Sequence, residues 1–190
     1  MRKGNLFIIS GPSGAGKGTL VEAVSTRVAD MWVSVSVTTR TPRPGESEGE
    51  HYHFVSDSEF DEMVGGGRLL EWAEVHGNRY GTQRDAVAEK VVAGKQVVLE
   101  IDPQGAFQAK SSSPDSVLVF IMPPSFDELQ RRLIGRGSET EAQMETRMET
   151  ARRELELVGQ YDHVVLNEDL SRAADELVAI VNSHADSKEA

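Results

Sequence analysis

The sequence predicts an α/β fold: a three-layer α/β/α core around a parallel sheet, to which a small mixed β insertion and a helical lid are added. Short apolar runs, typical of buried strands, alternate along the chain with segments whose apolar residues recur at helical spacing. Such alternation indicates a parallel sheet covered by helices on both faces. Two segments, 32–83 and 127–157, break the alternation, and we interpret them as insertions able to move against the core.

The predicted core strands are four short apolar runs. They cover residues 6–10, 97–101, 117–122 and 164–166. Runs of this length that are rich in Val, Ile and Leu are typical of strands buried on both faces of a parallel sheet. Gly11 and Pro12 directly follow the first run, which favours a turn at that point.

Two segments carry the helical period expected of core helices. The first runs from Lys17 to about residue 29, with its apolar residues on one side. The second carries an apolar stripe over residues 170–181, and Asp169 just before it is a typical N-cap.

The first insertion, residues 32–83, alternates polar and apolar residues and predicts small antiparallel strands with turns. A strand over 32–37 would turn its valines toward the core and its serines, Ser34 and Ser36, toward a cleft.

The second insertion is charged and helical. Ser138 and Glu141 fit a capping box. A narrow apolar stripe follows, formed by Met144, Met148, Ala151 and Leu155. We expect one domain over residues 1–190, with a core made of 1–31, 84–126 and 158–190.

Composition excludes several functions. The 190 residues carry a formal net charge of −11 and contain no cysteine. Disulfides and thiolate metal sites are therefore excluded, and general nucleic-acid binding, which needs a broad basic face, is disfavoured. Nothing near Arg2 resembles a secretory signal, and the apolar runs are too short to span a bilayer. We expect a cytoplasmic enzyme without a nucleic-acid or membrane partner, either a monomer or a homo-oligomer.

The strongest motif is a phosphate-binding loop (P-loop) between the first predicted strand and helix. Its glycines let backbone N–H groups point at phosphate oxygens, the helix N-terminus adds positive potential, and Lys17 adds a mobile charge. The alternative, a glycine-rich turn without a ligand, is disfavoured by the strand and helix on either side. The residues expected to bind ATP phosphates are Gly11, Pro12, Ser13, Gly14, Ala15, Gly16, Lys17, Gly18 and Thr19.

One position departs from the usual form of this loop. Gly18 follows the lysine where Ser or Thr commonly supplies a magnesium-binding hydroxyl. Thr19 is adjacent, and it or Asp102 could reach Mg²⁺ through water. No metal ligand is assigned from the sequence.

Residues 40–44 predict an anion clamp. Pro42 and Pro44 restrain this stretch to an extended, polyproline-like conformation. Three residues per turn would point Arg40 and Arg43 the same way, and two stiffly held guanidinium groups suit a phosphate monoester. The alternative, two solvated surface arginines, is disfavoured by the prolines and the nearby P-loop.

Several motifs together resemble guanylate kinases, a family of P-loop nucleoside monophosphate kinases. They are the stretch from Ser36 to Arg43, Tyr52 within 50–54, Glu71-Trp72-Ala73, the stretch 77–82, and Asp102 to Gly105. The resemblance covers nearly the whole chain and implies transfer of a phosphoryl group from ATP, with Mg²⁺, to GMP. It also implies that residues 32–83 bind GMP and that 127–157 form a lid.

The resemblance implies roles for eight residues on the GMP side. Those that would hold the GMP phosphate are Ser36, Arg40, Arg43, Tyr52 and Tyr80, and those that would read the guanine are Glu71, Thr82 and Asp102. Ionised carboxylates are acceptors only, so they suit the N1–H and N2–H₂ donors of guanine, while Thr82 or an arginine could donate to O6. Adenine lacks the N1 proton and would be rejected.

The lid resemblance concerns arginines. Arg132 and Arg136 are four residues apart and would share a helix face, and Arg147 follows. The resemblance implies that lid arginines contact ATP phosphates and the transferring group, and that Asn167 lies near the adenine. We interpret the remaining lid arginines as solvated. The residues expected to act in catalysis are Lys17, Arg40, Arg43, Arg136 and Arg147.

No general base is expected, because a phosphate monoester with a second pKa of roughly 6 is already largely dianionic at neutral pH. Two alternatives stay open. The chain could be a guanylate-kinase-like binding module without catalysis. It could also be a kinase for another monophosphate, AMP or UMP, since Gly18-Thr19 resembles the loop of adenylate kinases.

Overall fold

The structure is a computed structural model that describes residues 2–75, 77–134 and 141–185. The strands are β1 (Asn5–Ser10), β2 (Met31–Val33), β3 (Val37–Thr38), β4 (His53–Phe54), β5 (Leu69–Val75), β6 (Asn78–Gln83), β7 (Gln96–Glu100), β8 (Val117–Met122) and β9 (His163–Leu166). The helices are α1 (Lys17–Ser25), α2 (Asp57–Gly65), α3 (Arg84–Val92), α4 (Pro103–Ser112), α5 (Phe126–Ile134), α6 (Glu141–Glu156) and α7 (Leu170–Ala185), with a 3₁₀ turn at Leu157–Gln160.

The main sheet has the order β2-β7-β1-β8-β9, and its strands pair in parallel. Side chains that alternate along β1 enter two separate cores. Phe7 and Ile9 pack with α1 and α7, whereas Leu6 and Ile8 pack with α3 and α4. The predicted three-layer α/β/α core is confirmed.

Element boundaries differ slightly from the sequence prediction. Helix α1 ends at Ser25 rather than near residue 29. The amides of Arg27 and Val28 both donate to the Val24 carbonyl, so the chain leaves the helix through tight turns that still bury Val28. The predicted cap of α7 is confirmed, since the Arg172 amide donates to Asp169 Oδ1 at 2.9 Å.

A second, mixed sheet has the order β4-β3-β6-β5. The predicted mixed insertion is confirmed: β3 pairs with β6 and β5 with β6 in antiparallel fashion, as expected, whereas β3 and β4 pair in parallel. The continuous strand expected over 32–37 was wrong. The chain leaves the main sheet after Val33 and joins the second sheet at Val37, so residues 34–36 link the two sheets.

Helix α2 was not predicted. It begins at a capping box in which the Glu59 amide donates to Ser56 Oγ and the Ser56 amide donates to Glu59 Oε2. Phe60 and Met63 on one side of the helix pack against Val37 of the second sheet. Its three large apolar residues, Phe60, Met63 and Val64, span little more than one turn among acidic residues, which is too short a repeat to reveal a helix from sequence.

Helices α5 and α6 form the predicted helical segment. Their shared core contains Leu129, Leu133, Met148 and Ala151, with Met144 partly buried beside them. The predicted apolar stripe of α6 is thus confirmed at three positions. Ser138 lies outside the described residues. No helix in the described ranges is long and apolar enough to cross a membrane.

Candidate active site

The P-loop connects the end of β1 to the start of α1. Gly11 and Gly16 have φ angles of 142° and 86°, a region that side-chain-bearing residues rarely adopt. A Cβ atom on Gly11 would lie 2.5 Å from the Ile121 carbonyl oxygen. The glycines therefore let the loop curl tightly against β8.

Asn167, just after β9, braces the loop. Its Nδ2 donates a hydrogen bond of 2.8 Å to the Ala15 carbonyl, and the residue is buried. The same nitrogen lies 2.5 Å from the position that a Cβ on Gly16 would take. The side-chain amide of Asn167 thus stabilises the P-loop through a hydrogen bond.

Lys17 is the first residue of α1, and its ammonium group lies over the loop. The Nζ atom donates to the Gly11 carbonyl at 2.6 Å and to the Pro12 carbonyl at 3.2 Å. Backbone carbonyls are weaker partners for an ammonium than phosphate oxygens are. The side chain can therefore exchange them for a bound polyphosphate.

The helices α5 and α6 close over this loop. Arg147 Nη2 donates to Ser13 Oγ at 2.7 Å. A Cβ on Gly14 would lie 3.1 Å from methyl groups of Leu129 and Leu133, so α5 packs directly on the loop. The structure therefore brings Arg147 to the P-loop.

Arg132 of α5 also lies beside the loop. Its Nε donates to Glu128 Oε1 at 2.8 Å, and its Nη1 lies 3.7 Å from the position that a Cβ on Gly16 would take. Arg136, predicted to share this helix face, lies outside the described residues.

Arg40, one of the two arginines of the predicted clamp, lies beside an aromatic side chain and a carboxylate. Arg40 forms a bidentate ion pair with Glu46, and its guanidinium lies 5.3 Å from the centre of the Tyr52 ring. The rings of Tyr52 and Tyr80 are 5.9 Å apart. Hydrogen bonding to Glu46 raises the pKa of Arg40, and Tyr80 adds to this. Three of the predicted phosphate-binding side chains are thereby gathered.

Arg43 and Ser36 are positioned by backbone hydrogen bonds. The Arg43 amide donates to Glu46 Oε2 at 2.8 Å, while its side chain is exposed. Ser36 lies in the link between the two sheets, and its carbonyl accepts from the His53 amide. Sequence analysis missed Glu46, although the Pro44-Gly45 pair before it marks the turn that positions it.

A buried polar cluster lies where β5 and β6 meet α4. Glu71 and Thr82 are register partners, and Thr82 Oγ1 donates to Glu71 Oε1 at 2.6 Å. Glu71 is 4% exposed and Thr82 is fully buried. Asp102 is the N-cap of α4 and accepts from the Gly105 amide at 3.0 Å. The three residues predicted to read guanine are therefore neighbours.

The environment of Glu71 alters its acidity. Burial raises the pKa of Glu71 to about 7, with the nearby charge of Asp102 adding to the shift and the Thr82 hydroxyl opposing it. A Cβ on Gly105 would lie 2.5 Å from Glu71 Oε2, so only glycine leaves room for the carboxylate at the start of α4.

The chain is similar to known proteins over most of its length. The family model described as guanylate kinase matches residues 3–184. The chain belongs to the guanylate kinase family. It is 49% identical over 176 residues to a guanylate kinase from Thermobifida fusca, covering 93% of this chain and 90% of that one. It is 50% identical over 177 residues to one from Streptomyces coelicolor, with the same two shares.

A solved guanylate kinase structure is similar over almost the whole chain. The crystal structure of the enzyme from Anaplasma phagocytophilum gives a TM-score of 0.78 at 33% identity and covers 98% of this chain and 89% of that chain. The guanylate kinase fold, with its parallel core sheet and its second mixed sheet, is therefore shared.

In this member of the guanylate kinase family, Glu100 lies next to Gly18, the position where the P-loop lacks the common Ser or Thr. A Cβ on Gly18 would lie 3.5 Å from both carboxylate oxygens of Glu100, at the end of β7. Burial of this carboxylate raises its pKa, and the charge of Lys17 partly offsets the shift, although the residue keeps access to solvent. The space that a P-loop hydroxyl would enter is thus bordered by carboxylate oxygens.

Sequence analysis also missed Glu154 of α6. The residue is half-buried, and burial raises its pKa to about 7, while Lys17 opposes the shift and Asp102 adds to it. Its spacing of three residues from the buried Ala151 was the available signal, because positions three apart share a helix face. This guanylate kinase family member therefore brings a carboxylate of α6 toward the P-loop lysine.

Proposed function

We propose that the protein transfers the γ-phosphoryl group of ATP to GMP, giving ADP and GDP, with Mg²⁺ as cofactor. The observation that carries the proposal is the buried Glu71–Thr82 pair beside Asp102, in a member of the guanylate kinase family with an intact P-loop. We further propose that residues 32–83 bind GMP and that 127–157 act as the lid.

On the ATP side, the P-loop amides and Lys17 hold the phosphates. Residues 11–19 supply the cradle, and Arg132 and Arg147 reach it from the lid helices. Arg136 is proposed as a third lid arginine on the basis of the resemblance alone. Asn167 keeps the loop in shape through the Ala15 carbonyl, and its adenine contact remains a proposal.

On the GMP side, Arg40 and Arg43 hold the phosphate, together with Tyr52, Tyr80 and Ser36. Guanidinium groups match phosphate oxygens in pairs, and tyrosine hydroxyls add single donors. The contact between Arg40 and the Tyr52 ring supports a common site, because it places a fixed cation and a hydroxyl-bearing ring together.

Guanine is selected by acceptors. Ionised Glu71 and Asp102 accept from N1–H and N2–H₂, which adenine cannot supply in the same arrangement. The Thr82 hydroxyl gives its proton to Glu71, so it orients that carboxylate and offers its lone pairs to the guanine amino group, rather than donating to O6. A buried polar site of this kind rejects a base that leaves its groups unpaired.

The residues present fit Mg²⁺, which prefers oxygen ligands and keeps several waters and substrate phosphates in its shell. The Glu100 carboxylate borders the position that a side chain at residue 18 would take, and it would hold the ion with Asp102 or Thr19 acting through water. In the described part of the chain no group of three or more His, Asp or Glu could hold a metal alone. The ion, when bound with ATP, would neutralise charge on the β and γ phosphates.

The chain's own residues position two anions that repel each other. A phosphate oxygen of GMP, already ionised, attacks the γ phosphorus while the bond from that phosphorus to the ADP oxygen breaks. Lys17 and the arginines neutralise charge on the transferring oxygens, and closure of the lid excludes water that would otherwise hydrolyse ATP.

A coupled ADP assay with purified protein, ATP and Mg²⁺ tests the proposal. We expect turnover with GMP and little with AMP or UMP. Turnover with AMP or UMP instead would reassign the acceptor, and binding of GMP without any turnover would favour a non-catalytic module.

A further inference from the structure

Glu46 is fixed by a tight turn between Arg43 and itself. The Glu46 amide donates to the Arg43 carbonyl at 3.0 Å, and Gly45 has a φ of 89°. Pro44 followed by a glycine at positive φ is the arrangement of a type II turn, which holds its ends rigidly. The carboxylate then accepts from the Arg43 amide at 2.8 Å.

The same carboxylate holds the guanidinium of Arg40. Nη1 donates to Oε2 at 3.0 Å and Nη2 to Oε1 at 2.9 Å, while Nη1 also donates to the Thr41 carbonyl at 2.9 Å. The Arg40 and Glu46 side chains are only 11% and 16% exposed. Bidentate pairing of this kind fixes both the position and the plane of the guanidinium.

One edge of the guanidinium lies outside the ion pair with Glu46. The contacts with Glu46 and Thr41 use three of its five N–H groups, and the other two, Nε–H and one Nη2–H, lie on the edge that the Tyr80 hydroxyl and a ligand can share. The hydroxyl-bearing ring of Tyr52 lies beside the group, and Tyr80 lies close enough to affect its pKa. Glu46 thus binds the guanidinium through Nη1 and Nη2, and the side of the group that carries Nε–H can bind a second anion.

We propose that Glu46 is a positioning residue for the acceptor phosphate, holding Arg40 so that its Nε–H edge meets the phosphate of GMP. The inference rests on the proposed function, because it names what orients the clamp of that same site. Glu46 does not touch the reacting atoms. It acts through Arg40, and through the amide of Arg43.

A different role would be competition, with Glu46 occupying the clamp until the phosphate displaces it. Two features favour positioning. The Pro44-Gly45 turn and the Arg43 amide hold the carboxylate independently of Arg40. The end-on pairing also leaves an edge for the phosphate, so binding does not require Glu46 to leave. The two roles predict opposite effects when the charge of Glu46 is removed.

The test compares Glu46→Gln with the wild type and with Glu48→Gln. Glu48 is a matched control from the same loop, because its carboxylate contacts His53 and the Phe54 amide instead of an arginine. We measure KM for GMP and for ATP, and the inhibition constant of guanosine, which lacks the phosphate. Thermal unfolding shows that each variant is folded.

Positioning predicts a rise of about 10- to 100-fold in KM for GMP in Glu46→Gln, the range of a lost charged hydrogen bond. KM for ATP and the guanosine inhibition constant should stay at the wild-type values, and Glu48→Gln should resemble the wild type. In an Arg40→Lys background, Glu46→Gln should raise KM for GMP little further, because lysine has no planar guanidinium for Glu46 to orient.

Three results would overturn the inference. Tighter GMP binding in Glu46→Gln would show competition, an equal loss for guanosine would show a general structural role, and an unchanged KM for GMP would show no role. A wild type that turns over AMP or UMP but not GMP would instead refute the proposed function, so the two failures are distinguishable.

Discussion

Thr82 Oγ1 donates a hydrogen bond of 2.6 Å to Glu71 Oε1, and both side chains are almost closed to solvent. The bond joins β5 to β6 at a register pair of the second sheet. It fixes the orientation of a buried carboxylate at the proposed guanine site. Guanine selection therefore depends on the ionisation and position of Glu71.

Removing the charge of Glu71 should weaken GMP use. In Glu71→Gln the side chain can no longer accept from two guanine donors, and we expect KM for GMP to rise by about 10- to 100-fold. Steady-state kinetics should show KM for ATP nearly unchanged. Glu74→Gln is the matched control, because Glu74 lies on the same strand but is exposed. Equal KM values for GMP in both variants would contradict the assignment.

Guanine binding should weaken as the pH falls. Burial raises the pKa of Glu71 to about 7, so the carboxyl is mostly protonated below that pH and loses acceptor capacity. The guanosine inhibition constant should rise toward about tenfold per pH unit once the pH is below the pKa. Guanosine avoids the ionisation of the GMP phosphate. The same titration in Glu71→Gln should be flat, and a parallel slope in both proteins would assign the effect elsewhere.

The raised pKa of Glu71 also has a consequence for stability. The folded state holds the proton more tightly than the unfolded state, so this contribution to stability is present at low pH and is lost as the pH rises through about 7. In thermal unfolding without nucleotide, the melting temperature of Glu71→Gln should therefore rise relative to that of the wild type as the pH rises. A melting temperature that falls relative to the wild type over this pH range would contradict the prediction.

Adding one methyl group at Gly105 should displace Glu71. A Cβ there would lie 2.5 Å from Glu71 Oε2. We expect Gly105→Ala to cost about 1–3 kcal/mol of unfolding free energy, measured by denaturant titration, and to raise KM for GMP. Gly159→Ala is the control, because no atom lies within 4 Å of the corresponding position. If the two variants behave alike, close packing against Glu71 is not the constraint.

Lys17 should matter for turnover and little for the fold. Its ammonium donates to two carbonyls of the loop, and its proposed partners during turnover are phosphates. Lys17→Ala should lower kcat by about 100-fold or more, in line with the loss of one transition-state donor. Circular dichroism should stay unchanged, and Lys90→Ala, on the surface of α3, should keep full activity. A Lys17→Ala protein with near-normal kcat would refute the role.

Local signals predicted much of this molecule. The bounds of β8 and the cap of α7 agree with the structure because an apolar run and an N-cap act over a few neighbouring residues. The P-loop is equally local. Helix α2 escaped prediction because burial of Phe60 against the second sheet stabilises it, and that contact is not local in sequence.

The sequence predicted most residues of the candidate site but not the pairs that those residues form. The pairing of Glu71 with Thr82 follows from the register of β5 with β6, which a single sequence does not specify. The ion pair of Arg40 with Glu46 follows from a turn that returns the chain on itself. The burial of Glu154 near Lys17 follows from the position of α6 relative to the P-loop, which helical periodicity does not specify.

The central claim is that this cleft joins the γ phosphate of ATP to GMP, and following that phosphate is the most direct test. ATP labelled at the γ position is incubated with the protein, Mg²⁺ and GMP, and the products are separated. We expect the label in the β phosphate of GDP, with little in inorganic phosphate. Label released only as inorganic phosphate, or left entirely in ATP, would contradict it.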